Sequence, residues 1–310
     1  MDSDDLHPQA AAVVRRQERL GITPIHEHGI RRLRWLERLG SWVRNRDPPP
    51  VARAFDRTIP GPDGDLTVRC YRPEGEGPFP TVVFFHGGGF VTGTLASHDA
   101  LCRHLTRESG AVVVSVDYRL APEHQFPAAV EDAIAATEWA ADNPDFLAGD
   151  GSLAVVGDSA GGNLAAVVAL EAADRDDIDI DYQALLYPGV GIEAEQESVA
   201  EHDGLVLTRE DLEWFRDCYY DSEIHLHNPY ADPIRAADLS GVAPAMVLTA
   251  GFDPLLDGGR AYADRLAAEG VAVEHVHYAD MIHGFASMVD DIDRATEAIA
   301  EVGSALDANL

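Results

Sequence analysis

A chain of 310 residues with 46% hydrophobic content is long enough for one large α/β core with an appendage, and its lack of an 18-residue apolar run excludes a helical membrane span. The charge is unusual: 54 acidic residues against 23 basic ones give a formal net charge of −31, which argues against nucleic acid or another polyanion as partner.

In chain order, Met1-Asp-Ser-Asp-Asp5 is acidic and has no apolar h-region, so no secretory signal and a cytoplasmic location are expected. Residues 8–46 carry two helical patterns broken near Gly21-Ile-Thr-Pro24. In the second, residues 26–46, Ile30, Leu33, Leu36, Leu39 and Val43 recur at spacings of three and four, with Trp35 and Trp42 nearby and arginines on the other faces. Asp47-Pro-Pro-Pro50 stops that helix. His26 and His28 do not share a helix face, so a metal site there is not expected. Residues 1–50 are read as a helical cap segment and residues 51–310 as the main α/β domain, with residues 193–230 as a second cap insertion.

From residue 51 the pattern alternates around the turn Gly61-Pro-Asp-Gly64, as in a hairpin that opens a sheet. Pro80-Thr-Val-Val-Phe-Phe85 reads as a strand buried on both faces, and it runs into His86-Gly-Gly-Gly-Phe90. Successive glycines cost conformational entropy, so they suit a loop whose bare N–H groups face a ligand. A strand at residues 111–117 and a helix at about residues 129–141 follow. The run Ser152-Leu-Ala-Val-Val156 then leads into Gly157-Asp-Ser-Ala-Gly161 and an apolar helix. Gly-x-Ser-x-Gly between strand and helix is the pattern of a nucleophile elbow, where flanking residues must lack bulk.

A strand at residues 182–187 precedes the polar insertion, whose short helix carries Leu212, Trp214, Phe215 and Tyr219. Alternation resumes with a strand at 245–250, a helix at 257–269, a strand at 271–278, a loop at 279–285 and a closing helix from about 290 to 306. The βαβ rhythm implies a doubly wound, mostly parallel α/β sheet with its ligand site beyond the carboxyl ends of the strands.

A serine hydroxyl needs a base to remove its proton and an acid to orient that base. After Ser159, the scheme asks for a carboxylate at a strand end and then a histidine in the last loop; Asp253 and His283 stand in that order. Taken singly, Asp253 also reads as a helix N-cap and His283 as a surface histidine; together they read as a catalytic triad of Ser159, Asp253 and His283. The N–H groups of Gly88, Gly89 and Ala160 are the expected oxyanion donors. His275 and His277 share a strand face without a third ligand, and Cys70, Cys102 and Cys218 show neither disulfide nor metal spacing, so no metal or organic cofactor is expected.

The series His86-Gly-Gly-Gly89, Asp117-Tyr-Arg-Leu-Ala-Pro-Glu123, Gly157-Asp-Ser-Ala-Gly-Gly162, Asp253-Pro-Leu255 and His283-Gly-Phe285 resembles the hormone-sensitive-lipase-like esterases, a branch of the α/β-hydrolases. The resemblance runs from about residue 50 to the end. It implies a carboxylic ester hydrolase acting on a small-molecule ester, a structural place in the elbow for Asp158 beside Gly157 and Gly161, a motif role for His86 and Gly87, a structural pair of Arg119 with Glu123, and a homodimer through the sheet edge near residues 271–278. Ala279-Asp280 departs from the pattern, since relatives often carry a glycine before the Met-Ile-His segment. Short to medium acyl chains are expected from a small capped pocket. An amidase or arylformamidase with the same triad, and a non-catalytic small-molecule receptor, are the alternatives weighed. No membrane partner is expected.

The chain contains no lysine, and eleven of its 23 arginines fall in residues 1–58 against eight acidic residues, leaving twelve against 46 in the remainder. An acidic surface of this kind is similar to that of proteins from extreme halophiles, in which salt screens self-repulsion, so a need for molar salt is expected.

Overall fold

The computed structural model describes residues 5–22, 24–45, 48–175, 177–192 and 196–310. Most of the acidic N-terminal run, Arg46 at the end of the second helical pattern with Asp47 of the stop after it, and the first residues of the 193–230 insertion therefore lie outside the described residues. The chain begins with α1 (Pro8–Leu20), closed by Gly21 in the left-handed region, and α2 (Ile30–Arg44). His26 is not in α2, as expected from sequence, but in a single 3-10 turn, because Gly29 starts a new helix with extended backbone.

The apolar stripe expected on α2 is only partly inward. Leu33 is buried and Ile30 packs on the core, but Trp35, Leu39 and Trp42 are exposed. The inner face is instead held by polar bonds: Arg34 donates to the carbonyls of Val91 and Ala121, Glu37 accepts from the Gly93 N–H, and Asn45 donates to the Ala96 carbonyl.

The alternating segment forms the hairpin of β1 (Arg53–Gly61) and β2 (Gly64–Arg72), with Gly61 opposite Gly64. Then come β3 (Phe79–Phe85), α3 (Asp99–Ser109), β4 (Val112–Val116), α4 (Ala128–Asp142), the short α5 (Pro144–Leu147), β5 (Gly149–Asp158), α6 (Ala160–Ala173) and β6 (Tyr182–Leu186). The insertion supplies α7 (Glu197–Glu201) and α8 (Arg209–Tyr219), and the chain closes with β7 (Ala245–Phe252), α9 (Leu256–Ala268), β8 (Val273–Ile282) and α10 (Asp293–Asn309). The eight strands lie in the order β1-β2-β4-β3-β5-β6-β7-β8; the first two pairings are antiparallel and the rest parallel. This is the α/β-hydrolase architecture.

The unbroken apolar runs follow from helices on both faces of the sheet. Along β3, Val83 and Phe85 join the core under α4 and α6, whereas Val82 and Phe84 join the one under α1, α3 and α10. Beyond α2 and the short helices α5 and α7, two further elements differ from the expected pattern. Helix α3 was not read from sequence, and β8 continues through residues 279–282, with a register shift against β7, to place His283 directly at its end. β8 is an edge strand of the sheet, with β1 at the other edge.

Candidate active site

β5 ends at Asp158 and α6 begins at Ala160, so Ser159 carries the whole reversal of direction between them. Its φ of 56° and ψ of −118° lie in a region that costs a non-glycine residue roughly 1–3 kcal/mol. Neighbouring bonds hold it there: the Ser159 N–H donates to the Leu186 carbonyl at 2.9 Å, and its own carbonyl accepts from the N–H groups of Gly189 at 2.9 Å and Asn163 at 3.1 Å. The turn closes only because Gly161 lacks a side chain, since a Cβ there would strike the Phe85 carbonyl; Gly157 faces the Gly161 carbonyl in the same way.

The Ser159 hydroxyl lies 2.9 Å from Nε2 of His283, and Nδ1 of His283 lies 2.8 Å from Oδ2 of Asp253. The other oxygen of Asp253 accepts from the Leu255 N–H at 2.8 Å. Asp253 and His283 are buried, and the edge of the imidazole meets the Tyr187 ring with centroids 5.1 Å apart. Burial alone would push the His283 pKa down, but the Asp253 carboxylate, by charge and by hydrogen bond, outweighs it and raises the value above the ordinary histidine range. A base so held can take a proton from the hydroxyl and store it as a stabilised imidazolium.

The glycine loop after β3 faces the same serine. Gly88 and Gly89 have φ of 125° and 60°, a backbone course that a side chain would strain. Among the described residues, the N–H groups of Gly88, Gly89 and Ala160 donate to no protein acceptor. The Gly87 N–H is different: it donates to Oδ1 of Asp158 at 2.8 Å. The same carboxylate lies 3.2 Å from Nε2 of His98. Burial would push Asp158 up, but His98, by charge and hydrogen bond, and the Gly87 N–H hold it below the usual carboxylate range. His86 is buried between Tyr118 and His98, ring centroids 4.3 and 5.5 Å away, and burial lowers its pKa to about 3, so it is a neutral spacer.

A cavity of about 460 Å³ opens over Ser159. Helix α8 forms its roof: the Phe215 ring covers Gly89, and Tyr219 stacks on Phe90 at 3.9 Å with the planes within 5°. Val199, Leu207, Leu212 and Ile25 are among its apolar lining, and Glu37 of α2, with Arg209, Glu213 and Arg216 of α8, adds charged groups to it.

Other expectations resolve differently. Arg119 and Glu123 do not pair with each other: Arg119 turns back onto Asp132 of α4, and Glu123 binds Arg34 of α2 at 2.9 Å. His26 sits on Asp211 and His28 on the Ile22 carbonyl, while His275 and His277 converge on the Thr249 hydroxyl at 2.9 and 3.0 Å. Asp280 pairs with Arg294 and its carbonyl accepts from the His7 N–H. Sequence reasoning missed His98, Glu37 and Phe90. A lone glutamate in an arginine-rich helix was a signal for Glu37; His98 and Phe90 carried none beyond nearness to the glycine loop.

Residues 82–287 match the family described as the alpha/beta hydrolase fold. A carboxylic ester hydrolase of Mycobacterium tuberculosis, LipN, is 44% identical over 263 residues, covering 82% of this chain and 70% of that protein. An ethyl acetate hydrolase of Pseudomonas putida is 38% identical over 79% of each chain. Among solved structures, a hyperthermophilic esterase from the archaeon Pyrobaculum calidifontis superposes with a TM-score of 0.92 at 41% identity, covering 98% of both chains.

Proposed function

This chain belongs to the α/β-hydrolase family and is a carboxylesterase, and we propose that it cleaves short- to medium-chain carboxylic esters through an acyl-enzyme formed on Ser159. The hydroxyl of Ser159 attacks the ester carbonyl as His283 removes its proton. Asp253 fixes the imidazole tautomer and stabilises the imidazolium. The N–H groups of Gly88, Gly89 and Ala160 receive the tetrahedral oxyanion, each such donor being worth about 3–4 kcal/mol of barrier. His283 then protonates the leaving alcohol, and a water activated by the same base releases the acid. In this reading α1, α2 and the 193–230 insertion act as the cap over residues 51–310.

The observation that carries this reading is the continuous chain of contacts from Ser159 Oγ to His283 to Asp253, at 2.9 and 2.8 Å, at the floor of a cavity partly roofed by α8. The size of the cavity, in the lower half of the usual range for small-ligand pockets, supports short acyl groups, as does the likeness to an ethyl acetate hydrolase. A fluorophosphonate probe tests the assignment: mass spectrometry is expected to find one phosphonyl adduct, on the peptide holding Ser159, and an adduct elsewhere overturns it. Profiling kcat/KM over p-nitrophenyl esters from acetate to palmitate is expected to peak at or below the octanoate; a peak at palmitate contradicts the chain-length reading. Association of two copies through β8 is part of the same proposal, and sedimentation velocity in high salt reads it directly.

A further inference from the structure

The outward face of α2 differs in chemistry from the rest of the molecule. Successive residues of an α-helix turn by about 100°, which places Arg31, Trp35, Arg38, Leu39 and Trp42 on one arc with Arg32 at its margin. Trp35, Leu39 and Trp42 are 60%, 45% and 63% exposed, and Arg31, Arg32 and Arg38 are exposed around them. The only carboxylate in the sequence of α2 is Glu37, and it points inward to the Gly93 N–H. A protein of net charge −31 thus presents one helix face whose own side chains are aromatic, aliphatic and cationic, with the exposed Asp117 carboxylate beside Arg38 at its edge.

We propose that this face docks the enzyme on an anionic phospholipid bilayer, with Trp35, Leu39 and Trp42 in the headgroup boundary and Arg31, Arg32 and Arg38 on lipid phosphates. The attachment proposed is to the bilayer surface, without a span, and so goes beyond the sequence expectation of no membrane partner. Large indole rings on one side of a helix with arginines beside them fit an interfacial position. Charge decides between possible occupants. Most of the remaining surface repels an anionic bilayer, so attraction acts only through this face and fixes the orientation. A second copy meeting through the same face about a twofold axis would set arginines against arginines. The opposite side of α2 walls the cavity through Glu37, so docking places the ester pocket one helix away from the bilayer surface.

Vesicle flotation tests this on the full chain. Vesicles of phosphatidylglycerol and of phosphatidylcholine are compared over a KCl series, at concentrations where circular dichroism shows the protein folded. The wild type is expected to float with phosphatidylglycerol, to blue-shift its tryptophan emission there, and to prefer it over phosphatidylcholine most at the lowest salt. Arg31→Gln/Arg32→Gln/Arg38→Gln is expected to weaken binding about tenfold or more. Trp35→Ser/Trp42→Ser is expected to abolish the emission shift. Both variants retain wild-type hydrolysis of dissolved p-nitrophenyl butyrate, which reports that they are folded. The proposal is overturned if the wild type stays in solution with phosphatidylglycerol throughout the series, if it binds both lipids equally, or if both variants float as the wild type does. It is equally overturned if the face proves to serve self-association, seen as concentration-dependent sedimentation that the tryptophan variant removes without any vesicle binding.

Discussion

Asp158, the residue before Ser159, accepts a hydrogen bond from the Gly87 N–H at 2.8 Å, so the end of β5 holds the start of the glycine loop. The two halves of the site, serine and oxyanion donors, are therefore tied by a buried contact that bypasses the substrate.

Replacing that carboxylate separates its two contributions. Asp158→Ala leaves a buried N–H unpaired, which is expected to cost about 1–3 kcal/mol of stability and, through displaced donors, about tenfold or more in kcat with little change in KM. Asp158→Asn restores an acceptor for Gly87 and is expected to recover most of kcat. Urea unfolding and steady-state kinetics on both variants check this, and equal losses in Ala and Asn would mean that the charge facing His98 matters rather than the N–H contact.

The pH dependence follows from His283. The free imidazole is the reacting form, and its pKa in the folded protein is raised by Asp253. kcat/KM is expected to fall as pH drops through a midpoint above the ordinary histidine value of about 6.5. The sign for stability is opposite to that for rate: the pairing of imidazolium with Asp253 contributes fully below the unfolded value and is lost as pH rises through the raised one. A pH–rate profile with its acidic midpoint below 6 would contradict the assignment of Asp253.

Gly161→Ala is expected to abolish activity and to lower stability by at least about 3 kcal/mol, because the added methyl meets the backbone carbonyl of Phe85, which cannot rotate away. Thermal unfolding and activity measured together distinguish this from a local defect.

Phe215 roofs the cavity and touches Gly89. Phe215→Ala enlarges the acyl side, so kcat/KM for p-nitrophenyl octanoate relative to butyrate is expected to rise about tenfold, the order that one or two methylenes are worth. An unchanged ratio would place the acyl chain elsewhere.

With 54 acidic and 23 basic residues, self-repulsion rises as salt is removed. The screening length grows from about 3 Å at 1 M to about 10 Å at 0.1 M. The melting temperature is expected to fall steeply as KCl is lowered from about 3 M, and a melting temperature independent of salt would remove the halophilic reading.

Much of this was legible in the chain itself. β3, β4, the second half of β5, β6 and β7 are mostly apolar runs bounded by Gly, Pro or polar turns, and such runs are forced into the middle of a covered sheet. The order of Ser159, Asp253 and His283 after their strands was enough to name the three residues that the fold brings together. α3 was not legible because only Leu101, Cys102 and Leu105 mark its inner face amid Asp99, Arg103, His104 and Arg107. The β8 extension was hidden by Asp280, whose partner Arg294 lies on another element. α2 has apolar residues on two arcs, and its sequence does not tell which one the polar anchors Arg34, Glu37 and Asn45 turn inward. For the same reason Glu123 was assigned to Arg119 rather than to Arg34: partners 89 residues apart are set by packing and leave no local pattern.

The most direct test is hydrolysis of p-nitrophenyl butyrate by the wild type and by Ser159→Ala, each shown folded by circular dichroism, in about 3 M KCl. The screening length there is a few Å or less. The wild type is expected to turn over and the variant to lose a factor of about 10⁴ or more in kcat. A folded Ser159→Ala protein that hydrolyses the ester at a rate near that of the wild type would contradict the account.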